Sequence, residues 1–164
     1  MPFTEYIKGV NEFYARMGFP PYHWIKNLTS PWTPFTKKKS ECRAALVGAG
    51  GISLRSQEPF QLMSIHDIST RDIPGNVKPE DIVVNSTYFK HEDTDKDLNN
   101  LFPIEILQQM AGNGFIREVS PLNIICGVGR IYEPELTSFT DEVVPEMVSK
   151  LRSAKVDIAL FCCG

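Results

Sequence analysis

The spacing of apolar and polar positions changes several times along the chain, and each change marks an element. Residues 3–17 carry Phe3, Tyr6, Ile7, Val10, Phe13, Tyr14 and Met17 at helical spacing, which predicts an amphipathic helix whose aromatic stripe serves packing. Gly18 and the Pro20-Pro21 pair stop it. Residues 20–36 form an irregular arm rich in proline and aromatics. Tyr22, Trp24 and Trp32 in it need cover, so the arm is expected to lie across the main body. The run Arg43-Ala44-Ala45-Leu46-Val47 is small and apolar throughout, which suits a strand buried on both faces of a parallel sheet. Residues 64–71 read as a strand alternating at Ile65 and Ile68, residues 73–76 as a turn, and the β-branched Ile82-Val83-Val84-Asn85 as a second strand.

The second half continues in the same way. A helix is predicted over residues 104–111 after Pro103, closed by Gly112-Asn113-Gly114. Residues 124–127 resemble a strand. Residues 135–154 read as a long helix with Phe139, Val143, Val144, Met147, Val148 and Leu151 on its inner side, which Pro145 is expected to kink or split. The most apolar stretch, residues 156–164, is expected to be a central parallel strand. This order predicts an α/β fold, an open and mostly parallel sheet with helices on both faces. Residues 1–41 are expected to make a helix and arm, and residues 42–164 an α/β domain expected to be incomplete at its C-terminus. A buried parallel strand is ordinarily followed by a helix crossing back over the sheet, and the sequence stops at the strand.

Two places in this layout attract chemistry. The first strand opens into Gly48-Ala49-Gly50-Gly51. A glycine loop after a strand admits a dinucleotide-binding reading, but the GxGG pattern does not lead into a helical sequence, and a sharp turn at the strand's end is the preferred reading. The last strand ends in Cys162-Cys163-Gly164. Ligands of open α/β folds gather at such strand ends, and thiolates there are nucleophiles and redox groups; small buried hydrophobes are the alternative. Cys42 and Cys126 are expected to be packing residues. The acidic stretch from His91 to Asn100 also admits two roles. Asp93, Asp95 and Asp97 begin like a calcium loop, but Leu98 stands where glycine is required and Ile104 where glutamate is, so a calcium loop is rejected. Turn formation and helix capping are one role; lining a substrate cleft with His91, Asp95, Asp97 and Asn99 is the other. His23 and His66 show no ligand spacing, and no zinc pattern is present.

Composition narrows the classes further. Across 164 residues the net charge is −3, whereas nucleic-acid binding draws on a basic surplus. The one basic run, Lys37-Lys38-Lys39, reads as a solvated loop. No secretory leader and no apolar run long enough to span a bilayer are visible, so the chain is expected to be cytoplasmic with its four cysteines as thiols.

The stretch Phe89-Lys90-His91-Glu92-Asp93-Thr94-Asp95-Lys96-Asp97-Leu98-Asn99-Asn100-Leu101-Phe102-Pro103-Ile104 is the most distinctive in the chain. With the following helix, Trp32-Thr33-Pro34-Phe35, Ala45-Leu46-Val47 with its glycine loop, Arg71-Asp72-Ile73-Pro74 and Val156-Asp157-Ile158-Ala159-Leu160, it resembles the selenoprotein B family of glycine, sarcosine, betaine and D-proline reductases. The short D-proline reductase-like subunit is nearest in layout, and the resemblance covers roughly residues 30–164. It implies an oxidoreductase subunit that helps to cleave a C–N bond of glycine, its N-methyl derivatives or D-proline, with a dithiol or disulfide as redox partner. It implies selenocysteine, or cysteine, directly after Gly164, where a UGA codon would be read as a stop, and no other bound cofactor. A pyruvoyl-bearing partner subunit that captures the amine is implied too. On this reading Cys162 and Cys163 are the catalytic candidates, Cys162 as a resolving thiol. His91, Asp95, Asp97, Asn99, Gly50 and Gly51 are the substrate-binding candidates, and the chain alone is expected to be inactive. The competing expectations are a non-catalytic module holding a small anion at the glycine loop and a scaffold subunit of a reductase.

Overall fold

β1 (Arg43–Gly48) is buried along nearly its whole length, because its small and apolar side chains can be covered from both faces. The computed structural model describes residues 3–19, 28–61, 67–85, 92–127, 131 and 133–162. It divides into two units, Met1–Phe35 and Thr36–Gly164.

The first unit holds α1 (Phe3–Arg16). The helix ends in a Schellman turn: Phe19 N–H reaches Tyr14 C=O at 3.1 Å, Gly18 N–H reaches Ala15 C=O at 3.0 Å, and Gly18 adopts φ +82°. Tyr14 meets Phe13 and Phe19 edge-on, at 5.4 and 6.2 Å between ring centres. Of the aromatic arm at residues 20–36, residues 20–27, with Tyr22 and Trp24, lie outside the described residues; Trp32, which was expected to be covered, is 85% exposed, and the α1 stripe expected to serve packing leaves Tyr6, Phe13 and Met17 more than half exposed.

In the second unit β1 is the central strand. On one side it pairs in parallel with β5 (Glu118–Val119) and then β6 (Asn123–Cys126), and on the other with β7 (Ile158–Cys162). β3 (Thr70–Ile73) adds to β6 in the antiparallel sense. A separate antiparallel pair joins β2 (Ile52–Leu54) to β4 (Ile82–Val84). The sheet has one apolar cluster on each face. Ala44, Leu46, Ile73 and Ile125 pack with Ile104 and Leu107 of α2 (Ile104–Gly112) and with Ile52 and Ile82 of the small pair. Val47, Ile124 and Cys126 pack with Met147 and Leu151 of α4 (Val144–Ser153). Helices thus cover both faces of a mostly parallel sheet, as the pattern predicts.

Several details differ from the sequence reading. Among the described residues β7 lies at the sheet edge, paired on one side, and β1 takes the centre. An apolar run cannot by itself distinguish the two places, since either strand order buries some of it. The strand expected at residues 64–71 begins at Thr70 and runs through Ile73; residues 62–66 are outside the described residues. β5 was not anticipated, because two residues carry no period. The long helix is continuous through residues 135–153, as α3 (Glu135–Ser138), a π-helical stretch (Phe139–Val143) and α4. A proline cannot donate to the carbonyl four residues back and its ring crowds that carbonyl. The wider turn just before Pro145 makes room for it, so the helix is widened rather than split.

β5 and β6 are separated by residues 120–122, and this break would strand part of the β1 backbone. Asn123, fully buried, closes the gap. Its Oδ1 accepts the Leu46 N–H at 2.8 Å and its Nδ2 donates to the Ile73 C=O at 3.1 Å, tying β1 to β3 across β6. Gly75 approaches the same break so closely that a Cβ on it would lie 2.0 Å from the Ser120 carbonyl oxygen. Replacing Asn123 by Leu leaves the buried Leu46 N–H without its acceptor, and is expected to cost about 1–3 kcal/mol, seen as a lower urea midpoint with an unchanged slope.

Candidate functional site

The parallel strands β1 and β7 end together. Gly48 closes β1 and is in register with Cys162 at the end of β7. A Cβ at Gly48 would lie 3.5 Å from the Cys162 carbonyl oxygen and 3.8 Å from the Cys162 Cβ. The Ala49 N–H donates to the same carbonyl at 3.2 Å. Cys162 is half-buried and packs against the cluster on the α2 face, and its Sγ makes a long contact of 4.0 Å with the Leu160 carbonyl. Cys163 lies outside the described residues, as does His91.

The glycine loop runs into β2 rather than a helix. Gly50 and Gly51 take φ +99° and +72°, which side chains rarely adopt. A Cβ on Gly50 would press on Leu101 at 3.1 Å, and the Gly51 carbonyl accepts the Asn85 N–H at 3.0 Å. The loop therefore makes a sharp turn that joins the end of β1 to the β2–β4 pair and seats Cys162 beside it.

The acidic residues gather elsewhere. Asp97 Oδ1 accepts the Asn99 N–H and Nδ2–H, both at 2.9 Å. Asn99 also donates to Glu105 Oε2 at 3.0 Å and its Oδ1 takes the Ile106 N–H at 3.4 Å, near the start of α2. These bonds are those of a turn and a helix cap. Asp95 and Asp97 also line a cavity of about 450 Å³, with Arg55, Lys96 and Glu105 supplying further charge. Among the described residues its lining includes neither Cys162 nor Gly50 or Gly51. The structure thus places Cys162, Gly50 and Gly51 in one group and Asp95, Asp97 and Asn99 in another.

Arg55 and Glu105 were not singled out in the sequence. Arg55 also lines a second cavity, of about 370 Å³, between β2 and the turn after β3. Its Nε–H is held by the Glu80 carbonyl at 2.8 Å. Nothing in the local pattern signals this, because the contacts join residues distant in sequence. Near the end of β6 a Cβ on Gly127 would lie 2.6 Å from Phe60, whose ring sits under the Arg71 guanidinium at 4.3 Å. Burial works against the Asp67 carboxylate nearby, yet hydrogen bonds from Ser69 and from the Gln61 N–H outweigh it and hold its pKa below the ordinary value. Among the described residues no group of three or more His, Cys, Asp or Glu side chains is arranged to hold a metal ion, and no helix is long and apolar enough to cross a membrane.

The start of β7 is fixed by charge. Asp157 takes the Lys37 ammonium at 2.8 Å and the Arg43 N–H at 2.8 Å, and its own N–H returns to the Arg43 carbonyl at 2.9 Å. The basic run is therefore not wholly solvated. Lys37 anchors β7, and Lys39 lies 4.5 Å from the centre of the Phe115 ring. Cys42 and Cys126 are buried as expected. Cys42 Sγ donates to the Lys38 carbonyl at 3.0 Å. Cys126 Sγ lies 3.7 Å from Met147 Sδ, and burial pushes its thiol up to about 11.

The class defined here is an α/β protein whose parallel strands deliver a thiol beside a glycine turn. No protein-family model and no solved structure matches the chain. It is similar to the D-proline reductase subunit gamma of Acetoanaerobium sticklandii, with 32% identity over 160 residues, which is 96% of this chain. The chain spans 60% of the length of that relative.

Two predictions follow from this geometry. The Lys37 bond, then the Arg43 N–H, hold the Asp157 pKa below its ordinary 3.8. Unfolded chains therefore take up this proton first as pH falls. The stability lent by the clamp is complete above 3.8 and is lost as pH falls through the lower folded value. Asp157→Asn should flatten this acid limb in melts from neutral to acid pH, and Asp157→Ala should cost about 1–2 kcal/mol at neutral pH, reduced by the solvent exposure of the pair. Alkylation of the folded protein at mildly alkaline pH, mapped by peptide mass, should modify Cys162 well ahead of Cys126, and denaturant should abolish the difference.

Proposed function

We propose that the chain is a subunit of a reductase that cleaves a C–N bond of a small amino acid of the D-proline or glycine type. What carries the reading is similarity over nearly the whole chain to a D-proline reductase subunit. Cys162, at the end of a parallel strand beside the turn made by Gly50 and Gly51, supports it. Reductive cleavage of a C–N bond consumes two electrons and two protons. Oxidation of a dithiol to a disulfide releases the same number, through a mixed disulfide formed by a thiolate. In this reading Cys162, with Cys163 as its neighbour in sequence, exchanges with a second chalcogen of the assembly, a cysteine or selenocysteine. A partner subunit bearing a carbonyl group holds the amine. Asp95 and Asp97 line a cavity apart from Cys162 and take no direct part in this exchange.

A second reading, a binding module for a small charged molecule, draws on the cavity where Arg55 and Lys96 share a wall with Asp95, Asp97 and Glu105. Opposed charges around one concavity suit a zwitterion.

Reductase assembled with its partner subunits decides between them. With Cys162→Ser, D-proline-dependent oxidation of a dithiol should fall at least tenfold while the assembly stays intact by sedimentation. An unchanged rate in both Cys162→Ser and Cys163→Ser would overturn the redox role. A loss of amino-acid binding in Asp97→Ala without any effect of the cysteine variants would favour the binding module.

A further inference from the structure

The acidic segment sends a side chain to the glycine turn as well as to the cavity. Among the described residues, the three heavy atoms nearest to a Cβ built on Gly50 all belong to Leu101: Cδ1 at 3.1 Å, Cδ2 at 3.3 Å and Cγ at 3.5 Å. Leu101 is 6% exposed and belongs to the cluster on the α2 face, against which Cys162 packs. Its place is fixed by the polar residues before it. The Asp93 C=O accepts the Asp97 N–H at 3.0 Å and the Asn100 Nδ2–H at 3.1 Å. Asp97 caps a 3-10 turn over Leu98–Asn100. The Leu98 C=O then takes the N–H of Leu101 at 3.0 Å and that of Phe102 at 2.8 Å. From Gly50 the contact runs on to the thiol. One residue back, the Ala49 N–H donates to the Cys162 C=O at 3.2 Å, and Gly48 stands in register with Cys162. Gly50, at φ +99°, has no side chain and a wide conformational freedom, so the side chain lying on it is what holds the turn.

We propose that Leu101 is a positioning residue for the Cys162 thiol. Its side chain fills the space over Gly50 and fixes the turn. Through the Ala49–Cys162 bond the turn then sets where the end of β7 carries its sulfur. The acidic residues serve the thiol at one remove, by tying the 3-10 turn that aims Leu101. This role rests on the redox reading of Cys162 given above. It is separate from ligand binding at the charged walls, because Leu101 is in the described lining of neither cavity.

The test uses the reductase assembled with its partner subunits. It reads turnover of D-proline with a dithiol and the alkylation rate of Cys162. Leu101→Ala should lower kcat at least tenfold with KM for D-proline within twofold of the parent, and should speed alkylation of Cys162 in the folded protein at least threefold. Leu101→Met keeps the volume and should restore both to within twofold. Leu107→Ala removes the same atoms from the same buried cluster, but Leu107 is not among the atoms nearest Gly50. It should cost stability and leave kcat and alkylation unchanged. Gly50→Ala should act like Leu101→Ala, and the two together should do little more than either alone, since both disturb one contact. Where Leu101→Ala does not fold, Leu101→Val makes the same comparison, with at least a threefold fall in kcat expected. A Leu101→Ala protein matching Leu107→Ala in kcat and in alkylation would overturn the proposal, and a loss of turnover in Cys162→Ser would then leave the redox reading standing without it. Alkylation of Cys162 that follows Leu101, beside full turnover in Cys162→Ser, would uphold the seating of the thiol and remove its redox role.

Discussion

The side-chain amide of Asn123 is the contact on which the sheet depends. β1 lies at its centre and needs partners for its backbone groups on both sides, because a buried peptide group without one costs more than a typical hydrogen bond gains. On one side β7 supplies an unbroken run of five paired residues. On the other the partner strand is interrupted between β5 and β6. Asn123 fills that interruption with one bond to Leu46 and holds β3 with another to Ile73. The bend between β5 and β6 needs the Ser120 carbonyl against Gly75, where there is no room for a side chain.

The same arrangement makes β7 the delivery strand. Its start is held by Asp157 between Lys37 and the Arg43 backbone, and its end by the Ala49 N–H on the Cys162 carbonyl. A strand pinned at both ends against a buried neighbour presents its last side chain in a set place. Its outer edge is the counterpart of this: among the described residues no strand pairs with β7 on the side away from β1.

The acidic segment shows how one set of residues satisfies two demands. Asp97 and Asn99 tie the turn that leads into α2, which is a matter of stability. Asp97 also faces a cavity shared with Asp95 and the cationic Arg55. Capping uses only some of a carboxylate's acceptor sites and leaves others directed to solvent or ligand. The two roles weighed for these residues in the sequence are therefore compatible.

Much of this was legible in one dimension. The period of the apolar residues located α1, α2 and the long helix, the uniform run at residues 43–47 marked a buried strand, and glycines after α1 and α2 marked their ends, with Gly18 and Gly114 at positive φ. These are local properties, decided by which backbone shapes and which exposed faces a few neighbouring residues allow. Strand order is not local. Whether β1 or β7 took the centre, whether Lys37 found Asp157, 120 residues away, and whether the acidic turn met Cys162 or Arg55 depended on how whole elements packed. An apolar strand reads alike at an edge or a centre. Only the tertiary arrangement, which pairs β1 on both sides and, among the described residues, β7 on one, settled which strand is enclosed and which lies at the edge.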